Sequence, residues 1–299
     1  MVETKQLKIF KTIVDVGTFT GAGEQLGLSQ SAISQQMRAL EEALGVALLV
    51  RAGRGARPTP AGDRLYHCAR QVLERLDDVE RTFVAETDGR AGVIRIGAPE
   101  PPCGYVLPGA LVALRRQLPN VELHVTSGHP AAMMARLAAG DVDLALLPLP
   151  IASDRLRVVE VGHDELVAIA PMEHRWVARG SAQAPDFHLE PIVLYDRRSA
   201  ITEAMLGFLL EGGVFPTVAV EIDQLEAVKE LVRGGLGVAV VPRWAVRREV
   251  AAGALGAVRL GDSGLRRTWG LVFPDGQPRP ATVAAVVCLL SEELRGRFT

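Results

Sequence analysis

TFTGAGEQLGLSQSAISQQMRALEEALG, residues 18–45, is the stretch that decides the fold of this chain. It reads as two short helices joined by a tight turn. Thr18 can cap the first helix through its hydroxyl, and Gly27 sits at its C-terminal turn, where a positive φ is cheapest for glycine. Ser29 is a good N-cap for the second helix. There Ile33, Met37, Leu40 and Leu44 fall at i, i+4, i+7 and i+11, an inward apolar stripe. The opposite face shows Ser31, Ser34, Gln35 and Arg38, with Gln30 at the helix start. Short or planar hydrogen-bonding side chains of this kind can approach base edges and phosphates in a DNA major groove. Spacing alone also allows a plainer reading, an ordinary three-helix packing unit with a solvated face.

The flanks narrow that choice. Upstream, a helix over about 7–16 places Leu7, Phe10, Ile13 and Val14 on one side and ends at Gly17. Downstream, RAGRGARPTP (51–60) spaces Arg51, Arg54 and Arg57 three apart among glycines, with no acid. That suits a flexible basic wing on phosphates or in the minor groove. From Ala61 to about Glu86, Leu65, Ala69, Val72, Leu76, Val79 and Phe83 follow steps of 4, 3, 4, 3 and 4, a heptad seam. A surface helix packed on its own domain is the alternative there, but so regular a seam favours pairing with a copy of itself.

Residues 3–62 resemble the N-terminal winged helix-turn-helix of LysR-type transcriptional regulators. The resemblance is carried by Leu7, Phe10, Val14, Gly17, Phe19, Thr20, Ala22, Leu26, Ser29, Gln30, Ser31, Ile33, Ser34, Met37, Leu40, Glu41, Leu44, Gly45, Leu48, Leu49, Arg51, Thr59, Ala61 and Gly62. It implies that 29–44 is the recognition helix, with Gln30, Ser31, Ser34, Gln35 and Arg38 at its DNA face. It also implies that the long helix dimerises two such heads, so that two-fold symmetry demands double-stranded DNA with inverted-repeat half-sites. Gly21 and Gly23 stand where the family commonly has better helix formers, and each interior glycine costs about 0.5–1 kcal/mol. Val50 replaces the acidic or aromatic residues often seen before the wing arginine. A slightly softer domain is the expectation.

Composition agrees with a folded, multi-domain protein. The chain has 299 residues, 48% of them hydrophobic and 23% charged, with a formal net charge of −2. Two or three domains are expected, and any nucleic-acid contact must come from a local patch. The longest apolar runs, such as 236–242 and 283–290, fall short of the roughly 20 residues that span a bilayer. The N-terminal MVETKQLKIF is charged where a signal peptide is apolar. Three widely spaced cysteines, Cys68, Cys103 and Cys288, suggest reduced thiols and a cytoplasmic location.

From Val93 onward, plausible strands (93–97, 121–125, 142–147, 165–170, 191–195, 218–222, 237–242 and 268–273) alternate with helical segments (about 107–117, 130–139, 201–212, 224–233, 243–252 and 279–295). Alternation predicts mostly parallel sheets with helices on both faces, an α/β class. RIGAPEP, the entry Pro119–Leu123, LAAGDVDLALL and VRGGLGVAVVP continue the resemblance, to the two-lobed, periplasmic-binding-protein-like effector domain of the same family. The expected organisation is a winged helix-turn-helix (1–59), a linker helix (60–87), a hinge (88–92) and an effector domain (93–299). Its lobe I covers about 93–162 and 268–299, and lobe II about 163–267.

Ligands in open α/β folds sit beyond the C-terminal ends of strands, often at helix N-termini. That places Pro99, Glu100, Pro101, Ser127, Gly128 and His129 of lobe I at the cleft, with Arg197, Arg198, Ser199, Asp223 and Gln224 of lobe II. Arg197 or Arg198 can clamp a carboxylate in a fork. Glu100 fits less simply, since it repels an anion or holds an amine or hydroxyl. A zwitterionic, amino acid-like effector uses both charges. The family resemblance further implies dimers or tetramers and an effect on RNA polymerase access. No cofactor, metal or catalytic constellation is expected. GDSG (261–264) lacks the all-β, disulfide-linked setting of a serine protease. Gly234, Gly235 and Gly237 follow a helix and precede a strand, the reverse of a pyrophosphate cradle. The six histidines show no metal-ligand spacing. Cys103, near the cleft, reads as a buried or half-buried thiol with no evident resolving partner for redox sensing.

Overall fold

Gly17, Gly27 and Gly45, with φ of 78°, 66° and 68°, end three successive helices in the left-handed conformation. These are α1 (Thr4–Val16), α2 (Phe19–Leu26) and α3 (Gln30–Leu44). A computed structural model describes residues 2–52, 55–85, 91–275 and 281–298, with the backbone alone at 51–52, 74–75 and 77–85. The chain divides into two compact units, residues 1–84 and 85–299.

In the first unit the caps fall where the sequence placed them. The Thr18 hydroxyl accepts the Gly21 N–H, and the Ser29 hydroxyl accepts the Ala32 N–H. Ile9, Phe10 and Ile13 of α1 pack on Ala22, Ile33, Met37 and Leu40, all nearly solvent-free. Each large apolar side chain so buried stabilises by about 1.5–3 kcal/mol. Leu44 departs from the predicted stripe and is 39% exposed, because it is the last residue of the helix.

Gly23 has a packing reason that composition hides. A Cβ there would lie 2.6 Å from the Leu28 carbonyl oxygen, so the α2–α3 turn folds back onto bare backbone. The expected basic wing carries a hairpin, β1 (Leu49–Ala52) paired antiparallel with β2 (Gly55–Pro58). The linker helix α4 spans Pro60–Ala85, and Tyr66 donates to Asp15 of α1 at 2.5 Å. Of the heptad seam, Ala69 is buried, whereas Val72 and Leu76 are 38% and 39% exposed. The side chains of Val79 and Phe83, and residues 88–90 of the expected hinge, lie outside the described residues; 91–92 already belong to a strand.

The second unit begins with β3 (Ala91–Ala98), α5 (Glu100–Tyr105), α6 (Leu107–Gln117), β4 (Asn120–Ser127), α7 (Pro130–Ala139) and β5 (Leu144–Leu149). β3 pairs parallel with β4 and β5, as expected for lobe I. The long β6 (Leu156–Ala170) then carries the chain into lobe II. There follow α8 (Arg175–Arg179), β7 (Ser181–Ala182), a 3-10 turn (Ala184–Leu189), β8 (Pro191–Tyr195), α9 (Ala200–Glu211), β9 (Thr217–Ile222), α10 (Leu225–Arg233) and β10 (Ala239–Pro242). A second 3-10 turn (Arg243–Ala245), α11 (Arg247–Ala251) and β11 (Gly256–Leu260) complete the lobe. β12 (Leu265–Pro274) returns to lobe I, where α12 (Ala281–Leu294) packs on the sheet.

The expectation of mostly parallel sheets needs correction. β12 pairs antiparallel with both β5 and β6, and β10 and β11 pair antiparallel with β6. The reason is the double crossing: two strands running in opposite directions between lobes must sit side by side. Their first and second halves serve different lobes, so one sheet runs β4-β3-β5-β12-β6-β11-β7 through both. The helix read over 243–252 is also broken, into the 3-10 turn and α11.

Candidate functional site

Two regions concentrate polar side chains that the cores do not use. The first is the outer face of α3. Gln30, Ser31, Gln35 and Arg38 are exposed there and Ser34 is half-buried, while the opposite stripe fills the core. The Ser31 hydroxyl shares a hydrogen bond with Ser29 at 3.0 Å. Glu41 fixes the wing to this helix, its Oε1 accepting the N–H groups of Leu48 and Leu49 at 2.7 and 3.2 Å. The Ala56 N–H donates to the Gly17 carbonyl at 2.7 Å and ties the wing to α1. Arg57 stands exposed on β2 opposite Val50. Arg51 pairs through its backbone with Ala56; its side chain, and all of Arg54, lie outside the described residues. A rigid three-helix core thus presents hydrogen-bonding side chains beside a short hairpin.

The second region is a cavity of about 260 Å³ between the two lobes. That is just below the usual range of ligand pockets, roughly 300–1,000 Å³. Pro99, Glu100, Pro101, Gly128, His129, Ser199 and Asp223, all expected at the cleft, line it. Four expected residues do not: Ser127, Arg197, Arg198 and Gln224. Neither arginine of the expected carboxylate clamp lines the cavity, and each has a partner of its own. Arg197 donates from its N–H and Nε to Glu221 of β9, each at 3.1 Å. Arg198 is 83% exposed and loosely paired with Asp196 at 3.6 Å. Ser127 and Gln224 are exposed at the ends of their elements.

The arginine that does line the cavity is Arg267, on β12. Its Nε and Nη2 both donate to Asp164, a carboxylate 2% exposed. Trp244 Nε1 donates to the same carboxylate at 3.1 Å. The Arg267 guanidinium also lies 5.3 Å from the Trp269 ring, whose other neighbour is the stacked Phe298. Sequence reading missed Arg267, Trp244, Trp269 and Tyr195 because they reach the cleft from strands and turns whose sequence partners are far away.

Several contacts cross the cleft. The Tyr195 hydroxyl donates to Glu100 at 3.2 Å. His129 Nε2 donates to the Arg198 carbonyl, and Nδ1 accepts the Ala131 N–H at 3.4 Å. Tyr105 of α5 donates to Glu226 of α10, with the Lys229 ammonium 5.1 Å from its ring. Glu100 keeps one side exposed; partial burial of the other, reinforced by the charges of Glu226 and Asp223, holds its carboxyl above the ordinary range, against the lowering effect of the Tyr195 hydrogen bond. Burial and the Glu100 charge push the Tyr195 hydroxyl up, so it stays a donor. The Cys103 thiol is half-buried and donates to the Ala98 carbonyl at 3.8 Å. Burial and the Glu100 charge push it up to about 11.

Among the described residues, no helix is long and apolar enough to cross a membrane, and no group of His, Cys, Asp or Glu is arranged to hold a metal ion.

Comparison with known proteins covers both regions. The family described as "Bacterial regulatory helix-turn-helix protein, lysR family" matches residues 4–63. The family described as "LysR substrate binding domain" matches residues 87–295. The chain is 33% identical over 253 residues to a probable HTH-type transcriptional regulator, LrrA, of Synechococcus elongatus, covering 84% of this chain and 85% of that one. It is 28% identical to a probable hydrogen peroxide-inducible genes activator of Mycobacterium avium, covering 96% and 92%. Full-length CbnR solved with its target DNA superposes with a TM-score of 0.76 at 22% identity, over 98% of this chain and 100% of that one.

Proposed function

Because LysR-family models match it over residues 4–63 and 87–295, the chain belongs to the LysR family of transcriptional regulators, and we propose that it works as a symmetric DNA clamp whose grip is set by a small molecule in the inter-lobe cavity. The observation that carries the DNA half is α3: one face is buried in the core while the other holds Gln30, Ser31, Ser34, Gln35 and Arg38 outward. In this reading α3 enters the major groove, and the arginines of the wing, Arg51, Arg54 and Arg57, hold phosphates or the minor groove.

Val72 and Leu76 lie exposed on α4, which is the expected cost of a seam whose partner is a second copy. We place the dimer there, which gives inverted-repeat half-sites, with dimers able to pair into tetramers. Effector binding then closes the lobes, alters how the copies pair, and changes RNA polymerase access to the promoter. In this reading the protein works beside the DNA it binds, in the cytoplasm.

Pro99, Glu100, Pro101, Gly128, His129, Ser199 and Asp223 are the effector-contacting residues of this proposal. The Mycobacterium avium relative is named for hydrogen peroxide. A peroxide-reactive thiol needs thiolate character, and the raised Cys103 thiol argues against that role here. Gel retardation on DNA from upstream of the chain's own gene tests the proposal. A shifted band at about 50 mM salt is expected, since phosphate contacts are strongest at low salt. Absence of any shift there overturns it.

A further inference from the structure

The charge of the cavity limits what can fill it. Glu100, Asp196 and Asp223 line it, while Arg267 is the single lysine or arginine among the described lining residues. Arg267 is 9% exposed at its side chain and already neutralised by the buried Asp164, whose two oxygens take its fork and the Trp244 N–H. His129 offers no free ring nitrogen, both being engaged by backbone groups. Asp196 has a distant pairing with the exposed Arg198. Glu100 accepts from Tyr195 and has no basic partner, and Asp223 has no ion-pair partner among the described residues.

The backbone adds a second, independent constraint. Anion sites are built from N–H donors. Here Pro99, Pro101, Pro102, Pro130, Pro148 and Pro242 line the cavity, and a proline has no N–H. α5 has Pro101 and Pro102 at its second and third positions, and α7 begins on Pro130 with the Ala131 N–H taken by His129. The first turn of α9, at Ala200 and Ile201 with the Ser199 hydroxyl at its cap, is a donor edge, and Asp196 stands beside it on the cavity wall. A ligand bearing negative charge alone would meet three carboxylates with little to offset them.

We propose that the effector carries an ammonium or guanidinium group, seated between Glu100 and Asp223 against an apolar proline and tryptophan wall. The inference rests on the cavity being the effector site. Partial burial and the neighbouring acids Glu226 and Asp223 raise the Glu100 carboxyl, a shift that a bound cation would oppose; Glu100 and Asp223 both keep an exposed side from which a ligand can reach them. The proline and tryptophan wall suits an apolar body beside the charge, which favours an organic cation. A carboxylate elsewhere on the ligand is compatible with the donor edge of α9; the cation is the required part.

Calorimetric titration of the full chain with benzylamine and with benzoate tests this. The two probes are close in size and opposite in charge. Benzylamine is expected to bind with a fragment-like Kd of about 1 mM, and at least about tenfold more tightly than benzoate. In the isosteric Glu100→Gln, Asp223→Asn double variant that ratio should collapse to near one. No benzylamine binding, benzoate binding as tightly as benzylamine, or a ratio unchanged in the double variant overturns the proposal. Ala200→Phe, which fills the cavity, separates the two layers. Benzoate binding that Ala200→Phe abolishes overturns the cationic effector and leaves the cavity as the site. Binding of the preferred probe that survives Ala200→Phe removes the cavity reading itself, and this proposal with it.

Discussion

Tyr195 of lobe II holds Glu100 of lobe I across the inter-lobe cleft, hydroxyl to carboxylate at 3.2 Å. The carboxylate is raised by burial and by the acids Glu226 and Asp223, with Tyr195 opposing. A carboxyl raised on folding contributes stability that is fully present below its unfolded pKa and lost as pH rises through the folded value. Glu100→Gln should therefore match the parent near pH 4 and melt at a higher temperature than the parent by pH 7. Differential scanning calorimetry across that range checks it. Equal melting temperatures at every pH would mean that the empty cleft bears no charge penalty.

Arg267 and Asp164 form the buried ion pair behind the cleft. Arg267→Met leaves Asp164, at 2% exposure, with the Trp244 N–H alone. Removing one partner of such a pair costs about 3 kcal/mol or more. The double variant Arg267→Met, Asp164→Leu should regain most of that loss, because no charge is stranded. Thermal unfolding of the four proteins measures the coupling. Simply additive losses would show that the pair is not a unit.

Much of the DNA-binding unit was legible in the sequence, because its determinants are local. Thr18, Ser29, Gly17 and Gly27 act within a few residues, and the stripe of Ile33, Met37 and Leu40 follows helical period alone. Leu44 escaped because it lies at the helix end, and the reason for Gly23 escaped because Leu28's carbonyl reaches it through the turn. The cleft was half legible. Residues just past a strand or at a helix start, such as Glu100, His129 and Ser199, could be placed from topology. Arg267 and Trp244 could not, since only the antiparallel register of β12 and β10 on β6 brings them to Asp164. Arg197 misled for the same reason: its partner Glu221 is set by the pairing of β8 with β9.

Val72 and Leu76 give the dimer its test. Val72→Asp with Leu76→Asp places four acids across the seam of a dimer and costs the isolated chain little, since both positions are exposed. Sedimentation equilibrium should show a dimer or larger assembly for the parent and a monomer for the variant. An unchanged mass would move the interface elsewhere.

Gln35 and Arg38 on the outer face of α3 carry the central claim, and fluorescence anisotropy on an inverted-repeat duplex from the chain's own upstream region tests it most directly. The parent should bind that duplex at least about a thousandfold more tightly than a scrambled one. Gln35→Ala with Arg38→Ala should lower the specific affinity by about tenfold or more, with the melting temperature unchanged. Equal binding to both duplexes, or a double variant indistinguishable from the parent, would contradict the account.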